Sequence, residues 1–140
     1  MLELSNNELK AISIFEKITG VVPSDVYISP NAVVFFVPFS LMGKAIGKKG
    51  SKITKVRQAF ARQVLIFEET DNLEQFIRNI FNPVNIKNIN IHEKMNNKIV
   101  YVTIDPNDRG IAIGKNGNRI KLHQALLKRK FNCELRLYTK

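Results

Sequence analysis

The sequence predicts an α/β (α+β) protein made of two copies of one plan, residues 1–70 and 71–140. Three observations predict it. An eleven-residue stretch recurs at a fixed offset, each half opens on an amphipathic helical pattern followed by two runs rich in β-branched and aromatic residues, and a glycine-rich turn falls in the same slot of each half.

The repeat is the strongest of these. Gly43-Lys44-Ala45-Ile46-Gly47-Lys48-Lys49-Gly50-Ser51-Lys52-Ile53 returns 67 residues later as Gly110-Ile111-Ala112-Ile113-Gly114-Lys115-Asn116-Gly117-Asn118-Arg119-Ile120, identical at seven of eleven positions. Two copies are too few for a solenoid, and a duplicated domain is the simpler account.

Each element follows in order. Ser5-Asn6-Asn7-Glu8 is a capping box, and Leu9, Ile12, Phe15 and Ile18 continue it at helical spacing until Gly20 and Pro23 stop the helix. The stretches 25–29 and 32–37 read as strands about a Ser29-Pro30-Asn31 turn. A short helix, the glycine loop and a longer helix with Ile53, Val56 and Phe60 inward come next, and a strand over 64–68 closes the half. In the second half, Asp71-Asn72-Leu73-Glu74 resembles the first cap, with Asp71 as the capping residue. Leu73, Phe76, Ile77 and Ile80 form the apolar face, and Pro83 ends it. Strands over 84–93 and 98–104 flank a turn at Met95-Asn96-Asn97. Asp105-Pro106 starts the short helix, Ile120 and Leu127 point inward on the longer one, and 133–139 is the last strand. No Gly/Ser/Pro-rich linker lies near Thr70, so a fairly fixed arrangement of the halves is expected.

Charge is segregated. The chain carries a formal net charge of +10, and the windows 26–67 and 109–133 contain 14 of its 22 basic residues and none of its 12 acids. A uniformly solvated surface mixes the signs, whereas two acid-free basic windows fit two faces for a polyanion. Cys133 is the single cysteine, so no intrachain disulfide forms, which fits a reducing compartment. Residues 1–8 lack a signal-peptide pattern, and the longest apolar run, 32–37, is far short of the roughly 20 residues a membrane helix needs. A cytoplasmic, monomeric protein is expected.

The two windows contain Gly47-Lys48-Lys49-Gly50 and Gly114-Lys115-Asn116-Gly117. A lone Gly-x-x-Gly is usually just a tight helix–helix turn. Two in the same slot, each preceded by isoleucine (Ile46, Ile113) and followed by a cation (Lys52, Arg119), argue for more. Glycines let a phosphodiester approach bare backbone at a helix start, where unpaired N–H groups and the positive end of the dipole lie. Lys48, Lys49 and Lys115 add charge at the rim, and Asn116 adds uncharged hydrogen bonding. Lys52 and Arg119 oppose the dipole in the first turn of the next helix, a cost that a bound phosphate offsets. Neither copy is a nucleotide P-loop: only three residues separate Gly43 from Gly47 and Gly110 from Gly114, and no Ser or Thr follows Lys48 or Lys115.

The motifs Ile46-Gly47-Lys48-Lys49-Gly50 and Ile113-Gly114-Lys115-Asn116-Gly117 resemble KH-domain signatures. With a helix and paired strands before the loop and one strand after it, the order resembles the prokaryotic type II arrangement over essentially the whole chain. The resemblance implies two tandem KH domains, each a three-stranded sheet with helices packed on one face, that clamp single-stranded RNA by its backbone. The tandem layout and the run 113–122 resemble NusA-like transcription factors in their short archaeal form. That implies a role in elongation, termination or antitermination. Bacterial relatives add a polymerase-binding and an S1 domain, neither of which fits this length, so direct polymerase contact is not implied. By the same analogy, Ile46, Ile53, Ile113 and Ile120 are candidates to line an apolar groove for bases. A ribosome-biogenesis or ribosome-associated role is the alternative, because type II KH domains occur there too.

Other residues carry less. His92 and His123 have no Cys or acidic cluster beside them at zinc spacing and are expected to be surface or partly buried histidines. Cys133 reads as a small buried hydrophobe, and Asp105 and Asp108 as helix-start residues. With no catalytic arrangement apparent and no acids near the basic loops for metal-dependent phosphodiester chemistry, an enzyme is not expected, and no cofactor or metal is implied.

Overall fold

The computed structural model describes residues 6–140, which fall into two compact units divided between Thr70 and Asp71. Ser5 of the expected capping box lies outside the described residues.

In the first unit, helix α1 (Asn6–Thr19) is followed by strands β1 (Asp25–Ile28) and β2 (Ala32–Val37). Helix α2 (Phe39–Ile46), a 3₁₀ turn (Lys48–Gly50), α3 (Ser51–Ala59) and β3 (Gln63–Glu68) complete it. The sheet order is β1-β2-β3; β1 runs antiparallel to β2, and β3 parallel to it. A parallel neighbour needs a crossover, which the α2–turn–α3 segment supplies. The central strand Ala-Val-Val-Phe-Phe-Val is buried at every position, as a continuous apolar run requires. Phe35 stacks on Phe15 of α1 at 4.3 Å between centroids, whereas Phe36 pairs with Phe67 at 6.0 Å on the opposite face.

The buried stripe of α1 is Ala11, Phe15 and Thr19, with Ile12 and Ile18 packed beside it. Leu9, expected inward, is 51% exposed. It sits about half a turn of the helix away from Ala11, whose small side chain allows close packing. Thr19 ends the helix: its hydroxyl donates to the Phe15 carbonyl at 2.8 Å and accepts from the Val21 amide at 3.0 Å.

The second unit repeats the order. Its elements are α4 (Leu73–Phe81), β4 (Ile86–Lys94), β5 (Asn97–Ile104), a 3₁₀ turn (Pro106–Asp108), α5 (Arg109–Ile113), a 3₁₀ turn (Lys115–Gly117), α6 (Asn118–Phe131) and β6 (Cys133–Thr139). Its sheet is β4-β5-β6, again one antiparallel and one parallel pair. The α4 cap is Asn72 rather than Asp71, one residue later than expected: the Asn72 side chain accepts from the Gln75 amide at 2.8 Å. Phe76, Ile77, Ile80 and Phe81 are buried, while Leu73 at the exposed start is only half so. The Asn82–Pro83 peptide is cis. Lys94 pairs with Asn97, so the hairpin loop is two residues, Met95 and Asn96, both with positive φ (47° and 72°), as the right-handed strand twist favours. Here the central strand alternates: Val100, Val102 and Ile104 are buried, and Tyr101 and Thr103 are half-buried. Cys133 is buried in β6.

Candidate nucleic-acid interface

The two glycine loops share one backbone. Gly47 and Gly114 have φ/ψ of 78°/168° and 75°/175°. Lys49 and Asn116 have 55°/30° and 57°/23°, and Gly50 and Gly117 have 74°/19° and 74°/11°. Two matching hydrogen bonds brace each loop. The Gly47 and Gly114 amides close α2 and α5 on the Gly43 and Gly110 carbonyls at 3.0 and 2.9 Å, and the Gly50 and Gly117 amides donate to the Gly47 and Gly114 carbonyls, both at 3.1 Å.

The glycines of each loop are not equivalent. A Cβ on Gly47 would lie 2.8 Å from Lys52 Cγ and 2.9 Å from the Lys52 amide nitrogen. On Gly114 it would lie 2.6 Å from Arg119 Cβ. The first glycine is therefore required by its own chain, because the loop folds back on the first turn of the next helix. At Gly50 and Gly117 the nearest atoms would be ordinary contacts, Ile53 Cγ2 at 3.6 Å and Lys121 Cε at 3.9 Å. The second glycine is required by its left-handed φ and leaves room beside the backbone. It also serves as the N-cap of α3 or α6, with no side-chain cap and no acid in the first turn. The positive helix end thus meets no carboxylate of its own first turn.

Lys48, Lys49, Lys115 and Asn116 are exposed at the loop tips. Lys52 and Arg119 are half-buried and engaged with their own units. Lys52 Nζ donates to the Thr19 carbonyl at 3.1 Å, and Arg119 Nε donates to His123 Nε2 at 3.1 Å.

The four isoleucines part company. Ile46 is 37% exposed, and Ile53, at 8%, belongs to the core of the first unit. In the second unit Ile113 and Ile120 line a cavity of about 420 Å³, with Leu137 as further apolar floor and Arg109, Gln124, Tyr138 and Thr139 as polar rim. Ile120, read as inward, is half-buried at this groove. Gln124 also lines an adjoining depression and donates through Nε2 to the Leu135 carbonyl at 3.4 Å. Sequence reasoning did not nominate Arg109, Gln124 or Tyr138. Only Arg109 carried a signal, as the first cation of its acid-free window.

His123 is the clearest departure. Expected at the surface or partly buried, it is almost fully buried, 1% exposed, with its ring 4.5 Å from that of Phe81. Burial, then the Arg119 charge, pushes its pKa down to about 3, against a small opposite pull from the Ile80 backbone. Nδ1 makes no well-formed hydrogen bond. Asp105 takes the expected helix-start role, accepting from the Asn107 amide at 2.8 Å, which together with Lys87 holds its carboxyl below its ordinary pKa. No group of three or more His, Cys, Asp or Glu that could hold a metal ion occurs among the described residues. Nor is any described helix long and apolar enough to cross a membrane.

A helix, a strand pair, a helix, a braced Gly-x-x-Gly loop, a helix and a parallel closing strand, given twice, define tandem KH modules, a class of RNA-binding protein. Residues 11–96 match the KH domain family, and residues 73–136 match the NusA-like second KH domain. The chain is 30% identical over 131 residues to the probable transcription termination protein NusA of Halococcus morrhuae, covering 94% of each chain. It is 32% identical over 119 residues to the protein of the same description from Methanococcus vannielii, covering 85% of this chain and 69% of that one. The crystal structure of APE1850 superposes with a TM-score of 0.82 at 31% identity, over 98% of this chain and all (100%) of that one. The chain belongs to the NusA-like family of KH-domain proteins.

Proposed function

We propose that this protein is a non-catalytic binder of single-stranded RNA that acts in transcription elongation, termination or antitermination and engages RNA through both glycine loops. The observation that carries the proposal is the pair of loops with one backbone geometry, each with room for a further carbon beside its second glycine and each set in an acid-free basic window. The contacts we assign are Ile46, Gly47, Lys48, Lys49, Gly50 and Lys52 in the first unit. In the second they are Ile113, Gly114, Lys115, Asn116, Gly117 and Arg119. The backbone at each loop takes the sugar–phosphate strand, the exposed lysines add long-range attraction, and the groove beside Ile113 and Ile120 takes bases. The description of the relatives as probable transcription termination proteins supports the cellular role.

Replacing Lys48 and Lys49, or Lys115 and Asn116, with Asp places repulsive charge at the tips without touching the core. Each pair is expected to weaken binding of an unpaired oligoribonucleotide at least tenfold at matched salt, with parental affinity falling as salt rises. Unchanged affinity in both pairs would sink the loop assignment. Co-purification with RNA polymerase supports the transcription role, whereas recovery with pre-ribosomal particles instead overturns it.

A further inference from the structure

We propose that the solvent-facing side of the second sheet is a stacking surface for RNA bases, and that it receives the strand where it leaves the groove beside Ile113 and Ile120. This rests on the RNA-binding reading of that groove.

The register builds the surface. Strand β5 buries Val100, Val102 and Ile104, so Ile99, Tyr101 and Thr103 face the other way, and none of these three is buried. Residues opposite one another in a ladder share a face. Ile99 is paired with His92 of β4, Tyr101 with Arg136 of β6, and Thr103 with Tyr138. His92, Arg136 and Tyr138 are exposed, Tyr138 at 49%. The rings of His92, Tyr101 and Tyr138 meet across the three strands. His92 stands edge-on to Tyr101 with centroids 5.2 Å apart at 86°, and Tyr101 stacks with Tyr138 at 5.7 Å and 28°. The first sheet differs, because its central strand is buried on both faces.

Position and charge argue for the occupant. β6 is an edge strand, and Tyr138 belongs to both surfaces. It lines the groove of about 420 Å³ with Ile113 and Ile120, and it stacks on Tyr101. A strand whose bases fill the groove therefore meets Tyr138 first and Tyr101 next as it passes over β6. The surroundings suit a polyanion. Lys94 and Arg136 lie on this face, and Asn88 and Asn90 add amides. The one carboxylate among the paired positions, Glu134, is held by Arg136 at 3.2 Å. A protein partner would favour a more apolar centre, whereas Ile99 is the one aliphatic among these positions. Every base has a π-face, so aromatic rings hold unpaired RNA with little regard to sequence. This face lengthens the contact; the groove reads it.

The test measures binding of labelled single-stranded oligoribonucleotides in a length series starting at about four nucleotides, the span of one loop, at one salt concentration. A melting curve accompanies each variant. Tyr101→Leu is expected to weaken binding of the longest oligomers about tenfold, as loss of base stacking does, and to leave the shortest unchanged. Tyr101→Phe keeps the π-face and should bind as the parent. Parental affinity of Tyr101→Leu at every length, or an equal loss at every length, overturns the proposal. In the first event, sedimentation of parent and variant tells whether the face joins a second copy of the chain instead. Should Tyr101→Leu fail to fold, His92→Glu decides: it places a carboxylate at an exposed position of the face, and it should weaken only the longer oligomers, several-fold. Parental affinity there overturns the proposal. If the loop-tip Asp variants bind normally, the reading of the loops has failed. If they bind weakly while Tyr101→Leu and His92→Glu match the parent at all lengths, only this inference has.

Discussion

Lys52 Nζ lies 3.1 Å from the carbonyl oxygen of Thr19, tying the first turn of α3 to the C-terminus of α1. The ammonium sits at the negative end of one helix and offsets its own unfavourable place at the positive end of another. Lys52→Ala is expected to destabilise the first unit by about 1 kcal/mol, read from urea unfolding, as for loss of a charge-assisted hydrogen bond. Lys52→Met, which retains most of the aliphatic stem, should lose nearly as much; a stability equal to the parent would show that the contact contributes nothing.

The asymmetry within each loop gives an ordering. Gly114→Ala forces a Cβ to 2.6 Å from Arg119 Cβ at φ 75°, so loop and helix must separate. Gly117→Ala adds only the strain of a left-handed alanine, about 1 kcal/mol. Denaturant unfolding should rank Gly114→Ala as the more damaging by at least about 1 kcal/mol, since overpacking against backbone typically costs about 1–3 kcal/mol. The order Gly47→Ala above Gly50→Ala should repeat it. Equal costs would show that the loop yields without resistance.

Lys49 holds a left-handed conformation, φ 55°, that its counterpart Asn116 adopts at φ 57°. Asparagine accepts that region more readily than lysine. Lys49→Asn should therefore stabilise the first unit slightly, by about a few tenths of a kcal/mol in denaturant unfolding, while weakening RNA binding at low salt. Stability and affinity moving in the same direction would contradict a lysine kept for its charge.

His123 makes stability depend on pH. Its pKa is depressed in the folded protein, about 3 against an ordinary 6.5, so the folded state prefers the neutral ring. The stabilisation is complete above pH 6.5 and is lost as pH falls towards 3, at up to roughly 1.4 kcal/mol per pH unit. Unfolding measured from pH 7 to 4 should show a slope that His123→Val removes. A variant as acid-sensitive as the parent would assign the slope to carboxylates instead.

Much of this was legible in the residues. Run length located β2 to the residue, because Ala32–Val37 is a continuous apolar run bounded by turn formers, and the repeat located both loops. Less legible was whatever depended on rotation or reach. Leu9 matched the helical spacing, yet α1 turns Ala11 inward. Ile53 and Ile120 hold matching places in the repeat, yet one is core and the other lines a groove. Gln124 and Tyr138 reach that groove from α6 and β6, without any pattern of their own.

By itself the sequence determined that one plan occurs twice, that glycine, cation and isoleucine recur in one slot, and that acids are absent around both, because periodicity, turn chemistry and charge are properties of neighbours along the chain. Only the tertiary structure decided which glycine is pressed by its own helix and which stands open, and that His123 is buried against Arg119 and Phe81. Those outcomes depend on distances between atoms from different elements, which packing sets.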